Sequence, residues 1–151
     1  MYPYNQTKLE FIGHDSYLTW TKETENAGDF RVSLASSTIV RVNRQEYASS
    51  PEVDLLEYFI YEPRSQQNMT VSWSREDHGL TLFADRLGHM NIYRGEVSDP
   101  HITYNMSYRY DYSPDINLYL SVRNLTDVMP QKDGGFGYPY YYQGVFSVCL
   151  L

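Results

Sequence analysis

The stretch Phe30-Arg31-Val32-Ser33-Leu34-Ala35-Ser36-Ser37-Thr38-Ile39-Val40-Arg41-Val42 decides how the rest of the chain is read. Phe30, Val32, Leu34, Val40 and Val42 fall on one side of an extended backbone, and Arg31, Ser33, Ala35, Ser37 and Arg41 on the other. Side chains alternate across a strand, so this period of two predicts a strand with one apolar and one polar face. Its length exceeds the usual ~5–6 residues of a strand in a globular protein.

The same alternation spreads outward in both directions. Met69, Val71 and Trp73 oppose Thr70, Ser72 and Ser74, and Leu80, Leu82 and Ala84 oppose Thr81, Phe83 and Asp85. Between these runs Glu76-Asp77-His78-Gly79 predicts a hairpin turn. Further on, Tyr104, Met106, Tyr108 and Tyr110 oppose Thr103, Asn105, Ser107, Arg109 and Asp111, while Leu118, Leu120 and Val122 oppose Tyr119, Ser121 and Arg123. A first strand about Leu9 to Thr21 is interrupted by Gly13-His14-Asp15, and a last one is predicted about Tyr141 to Leu151. The sum is an all-β, antiparallel up-and-down meander of six or seven strands. Asp54 to Ile60 offers only a short helical turn, bracketed by Pro51 and Pro63.

The connections alternate in length. Short turns at Glu23 to Gly28, Glu76 to Gly79 and Ser113 to Asp115 interleave with long links at Asn43 to Gln67, Leu87 to His101 and Leu125 to Tyr141. An up-and-down sheet then carries every short turn at one end and every long loop at the other, which is the layout of an outer-membrane barrel. A soluble all-β carbohydrate-binding module with an aromatic face is the alternative that periodicity leaves open.

Composition narrows the function classes. The 151 residues carry 12 Lys and Arg against 19 Asp and Glu, a net charge of -7, which repels a phosphate backbone and disfavours nucleic acid as a partner. The longest apolar runs, such as Tyr58-Phe59-Ile60-Tyr61, fall far short of the ~18 residues of a membrane-spanning helix. Tyrosine dominates the aromatics, 16 against 6 Phe and 2 Trp, as suits a boundary between apolar and wet surroundings. Cys149 stands alone and is expected as a packed thiol inside the last strand. His14, His78, His89 and His101 share no metal-ligand spacing and no nucleophile motif is present, so no catalytic residue, metal or cofactor is assigned.

The segment Leu118-Tyr119-Leu120-Ser121-Val122-Arg123-Asn124-Leu125-Thr126-Asp127-Val128-Met129-Pro130, followed by Gly137-Tyr138-Pro139-Tyr140-Tyr141, resembles the C-terminal region of TonB-dependent outer-membrane receptors. Tyr108 to Asn117 is similar to the strand, turn and strand that precede it in that family. The resemblance implies that residues 1–151 are the C-terminal portion of a receptor barrel, a fragment with neither signal peptide nor plug domain. It implies outer-membrane lipid as surroundings and a plug domain and the TonB system as partners in the complete receptor. It further implies a nutrient ligand whose identity the sequence does not disclose. No enzymatic activity is expected.

Within that frame Arg31, Arg41, Asp85, Arg109, Asp111 and Arg123 are expected to face the lumen. The long loops supply candidate ligand-binding residues. Tyr47, Glu57, Tyr58 and Tyr61 in the first, with Tyr138 and Tyr140 in the last, mix acid and aromatic character in a way that suits a sugar or a metal chelate. A solvated loop that only carries charge is the plainer reading of the same residues.

Overall fold

The computed structural model describes residues 8–56, 62–92, 95–129, 131 and 147–150. They form one antiparallel sheet. Its strands are β1 (Lys8–Lys22), β2 (Asp29–Gln45), β3 (Val53–Asp54), β4 (Ser65–Arg75), β5 (His78–Leu87), β6 (His101–Ser113), β7 (Ile116–Arg123) and β8 (Ser147–Leu150). The order across the sheet is β1-β2-β4-β5-β6-β7-β8, with the two-residue β3 beside the end of β2. The meander read from the sequence is therefore present, with no helix among the described residues.

Register converts the alternation within each strand into rows across the sheet. Phe30, Trp73, Leu80, Tyr108, Leu120 and Leu150 stand side by side on successive strands. The next row holds Trp20, Val32, Val71, Leu82, Met106, Val122 and Val148, and the one after it Leu18, Leu34, Met69, Ala84 and Tyr104. Paired residues share a side of the sheet, so these rows make one apolar face. Most of this face is open, Leu18 being 63% exposed and Leu82 40%, while Val122 in its middle row is buried. From Tyr104 to Tyr110 the apolar band runs about 20 Å along the strand at ~3.4 Å per residue.

Both borders of the band are defined. Toward the long loops the same face turns polar on β1, β2, β4 and β5 in the row Ser16, Ser36, Gln67 and Arg86, which ends in Ile102 on β6, and the Arg86 guanidinium donates to Gln67 at 2.8 Å. Toward the short turns it ends in rings: Tyr110 stacks on His78 with centroids 4.7 Å apart and meets Tyr112 edge-on. His78 Nδ1 and the Tyr108 hydroxyl lie 2.7 Å apart.

The turns explain why the meander is tight at this end. Glu76 and Asp77 alone connect β4 to β5, with Glu76 at φ 52°, so the turn is shorter than the four residues read from the sequence. In the β1–β2 connection Gly28 has φ 87° and lies so close to Ser74 and Trp73 that a Cβ would collide with them. The Trp73 indole donates to the Ala27 carbonyl at 2.8 Å and ties this turn to β4.

Apart from Val122 in the band, the buried apolar residues lie at the long-loop end. Val42, Leu56, Met90 and Ile92 are buried there. The Leu55 amide donates to the Val42 carbonyl, and the Asn91 side chain donates to the Leu56 carbonyl at 2.9 Å. The helical turn considered for Asp54 to Ile60 begins instead as β3, and residues 57–60 lie outside the described residues. Only the Ser147–Leu150 part of the last expected strand is described, and Cys149 within it is exposed where a packed thiol was expected, because β8 is an edge.

One register shift corrects the facing read from the sequence. Gly13 pairs with Ile39, but Ile12 pairs with Arg41, leaving Val40 as an extra residue in β2. Such a bulge reverses the phase of everything beyond it. Arg41 therefore shares a side with Ile12, on the apolar-band face, and not with Arg31 as expected. Val42 shares the other side with Phe11 and is only 2% exposed.

Candidate functional site

Opposite the apolar band, register assembles a polar face. Arg31, Ser72, Thr81, Ser107 and Ser121 form one row, and Thr19, Ser33, Thr70, Phe83 and Asn105 the next. Ala35, Asn68, Asp85 and Thr103 form a third. Arg31, Asp85, Arg109, Asp111 and Arg123 all lie on this side, and Arg41 is the exception already explained.

The charges on this face are partnered unevenly. Arg109 pairs with Asp111 at 3.2 Å, two residues along the same strand. Asp85 accepts hydrogen bonds from the Asn68 and Asn105 side-chain amides, which joins β4, β5 and β6 through one carboxylate. Asn105 is committed at its other end too, its Oδ1 accepting from the Asn124 backbone amide at 2.9 Å.

Asn124 extends this network into the loop after β7. It is buried at φ 50°, its Nδ2 donates to the Val128 carbonyl and its Oδ1 accepts from the Val128 amide, both at 3.1 Å. The side-chain amide so reproduces the two bonds of a backbone pair and closes the Asn-Leu-Thr-Asp-Val step into a compact turn. Asn68, Asn105 and Asn124 were not singled out as site residues from the sequence. The signal available was that the first two occupy polar-face positions within strands, where asparagine is disfavoured unless its amide is used.

Between β5, β6 and β7 the polar face sinks into a recess of about 430 Å³ lined by Phe83, Asn105, Met106, Ser107, Ser121 and Arg123. Of the expected lumen-facing residues, only Arg123 lines it. A second recess, of about 400 Å³, lies at the long-loop end against Arg64, His89, Met90 and Val97. There His89 Nδ1 donates to the Ser98 carbonyl at 3.0 Å.

The loop candidates are less fully placed. Tyr47 is half exposed in a turn closed by Ser50, whose hydroxyl donates to the Tyr47 carbonyl at 2.8 Å. Glu57, Tyr58, Tyr61, Tyr138 and Tyr140 lie outside the described residues. Nearby, Glu52 accepts from Lys8 at 2.6 Å and from Asn43 at 3.3 Å. The Lys8 ammonium holds the Glu52 carboxyl below its ordinary range, and Glu52 and Glu10 in turn hold Lys8 above its own. Among the described residues no group of three His, Cys, Asp or Glu side chains is arranged to hold a metal ion.

Comparison with protein-family profiles, curated proteins and solved structures gives no match to this chain.

Proposed function

We propose that the chain builds part of the wall of a transmembrane β-barrel, in an outer-membrane receptor of the TonB-dependent type that imports a nutrient ligand. The observation that carries this reading is the apolar face: it is continuous over seven strands, exposed at most of its positions, and bordered by a cluster of rings on β5 and β6 toward the short turns and by polar side chains on β1, β2, β4 and β5 toward the long loops. Its height of about 20 Å approaches the ~25 Å apolar band of such barrels, which aromatic girdles flank. A soluble sheet would have to bury this face against a second layer.

Topology supports a larger barrel around these strands. Antiparallel pairing along a path of seven makes β1 and β8 run in the same direction, so joining them directly would create a parallel pair. Single-chain bacterial barrels have an even number of antiparallel strands. In this reading further strands lie between the two edges, the long loops face outward, and the polar face lines a lumen that a plug domain fills.

The test is solvent dependence. The purified chain is run on size-exclusion chromatography in plain buffer and in detergent, with circular dichroism on each peak. The barrel-wall reading requires self-association in buffer and a dispersed β species in detergent. A monomer in plain buffer with a cooperative β melt rejects it in favour of the soluble module.

A further inference from the structure

We propose that the recess between β5, β6 and β7 is a binding site for a carboxylate borne on a ring, with Arg123 holding the carboxylate and Phe83 the ring. The site belongs to the polar face in either solvent environment, so it does not depend on the barrel reading.

Arg109 and Asp111 neutralise each other and Asp85 is held by two asparagines. Arg31 and Arg123 have no carboxylate partner among the described residues, and of these two only Arg123 lines the recess. Its strand position, one step beyond the Met106–Val122 pair, sets it across from Asn105, and Asn105 in turn pairs with Phe83. Arg123 and Phe83 are thus two inter-strand spacings apart, roughly 10 Å of backbone separation. A six-membered ring bearing a carboxylate spans that gap once the arginine side chain reaches inward.

Each lining group sets one property of the ligand. Phe83 is the one large apolar side chain in a row of Thr19, Ser33, Thr70 and Asn105, and at 38% exposure its ring is open to a flat or CH-rich partner. The guanidinium fork fits the two oxygens of a carboxylate. The hydroxyls of the paired Ser107 and Ser121 stand ready to donate to the same group. Asn105 is already bonded at both ends of its amide, so it shapes the wall and adds no adaptable donor.

The experiment follows the Arg123 Nε–Hε resonance in the full chain, in whichever solvent disperses it, during titration with benzoate, with glucuronate, and with their neutral counterparts benzamide and glucose. A saturable shift with one or both acids at a Kd on the order of 1 mM, and none with the matching neutral compound, is the expected result. Which acid responds tells an aromatic ring from a sugar ring. Arg123→Gln should weaken the response of the remaining Ser107 and Ser121 amides about tenfold, with an unchanged circular dichroism spectrum as the folding control. Phe83→Ser should weaken it while leaving the Arg123 resonance observable. Absence of a shift with both acids, or equal shifts with acids and neutral compounds, overturns the proposal. Neither result bears on detergent dependence, so the failure of this site and the failure of the barrel reading are told apart.

Discussion

Ile12 of β1 lies opposite Arg41 of β2 although its neighbour Gly13 lies opposite Ile39, and the extra residue, Val40, lies beyond the polar Ser16–Ser36 row that closes the apolar band. Beyond this point the band's face carries Lys8, Glu10, Arg41 and Asn43, while Val42 turns to the opposite side and is buried. The bulge thus puts Arg41 on the band's face and Val42 on the other, the reverse of what unbroken alternation gives. Val42→Ala should cost about 2 kcal/mol by leaving a cavity. Val40→Ala, at an exposed position, should cost less than about 0.5 kcal/mol. Denaturant unfolding of the two variants checks the difference, and equal losses would contradict the reversed phase.

Asn124 combines a left-handed backbone with an amide that bonds Val128 twice. Removing the amide leaves both Val128 groups seeking partners, and any residue with a Cβ other than asparagine or aspartate is strained at this φ. Asn124→Ala should therefore destabilise by about 2–3 kcal/mol, and Asn124→Gly by about 1 kcal/mol less because glycine relieves the strain. Thermal melts of the two variants rank them, and the opposite order would assign the residue's role to side-chain bulk.

The Lys8–Glu52 pair makes a signed pH prediction. Glu52 has its carboxyl lowered by the Lys8 hydrogen bond and charge, so the pair's contribution is present above the ordinary carboxylate value of 4.5. It is lost as pH falls through the lowered value in the folded state. Lys8 is raised from 10.5, so at the alkaline end the contribution is full below that value and is lost as pH rises through the raised one. Both side chains are exposed, which keeps the effect on global stability small. The decisive measurement is local: Lys8→Met should return the Glu52 carboxyl upward, followed by carboxyl NMR, with Arg44→Met as the control that leaves it in place.

What the sequence made legible was whatever depends on one strand at a time. The two faces of β2 from Phe30 to Leu34, of β4, of β5 and of β7 follow from side-chain alternation alone, and the short turns follow from where that alternation stops. What depends on pairing was not legible. The reversal at Arg41 is set by how β2 meets Gly13, far back along the chain, and appeared in the sequence only as an interruption of β1. The Asn68–Asp85–Asn105–Asn124 network draws on β4, β5, β6 and the loop beyond β7, so no spacing within a strand announces it. Phe83 was read correctly as belonging to the polar face, but that Arg123 shares its recess required the register of β5, β6 and β7.

Leu82 and Thr81 are neighbours in β5 that occupy opposite faces of the sheet, Leu82 between Val71 and Met106 in the middle row of the apolar band, Thr81 between Ser72 and Ser107 in a row of hydroxyls. If the band meets lipid, Leu82→Arg places a guanidinium near the bilayer midplane, at a cost of about 2–4 kcal/mol. Thr81→Arg places the same group on a wet face beside serines that accept its hydrogen bonds. Both substitutions disturb the strand's own propensity alike, so the difference between them isolates the surroundings of each face. With the chain folded into lipid vesicles, Leu82→Arg should reduce the protease-protected β fraction severalfold relative to Thr81→Arg. In plain buffer the ranking should reverse in its consequence, with Leu82→Arg improving solubility by breaking an exposed apolar surface that drives self-association. Equal protection of the two variants in vesicles, together with unchanged solubility in buffer, would show that the band does not face lipid.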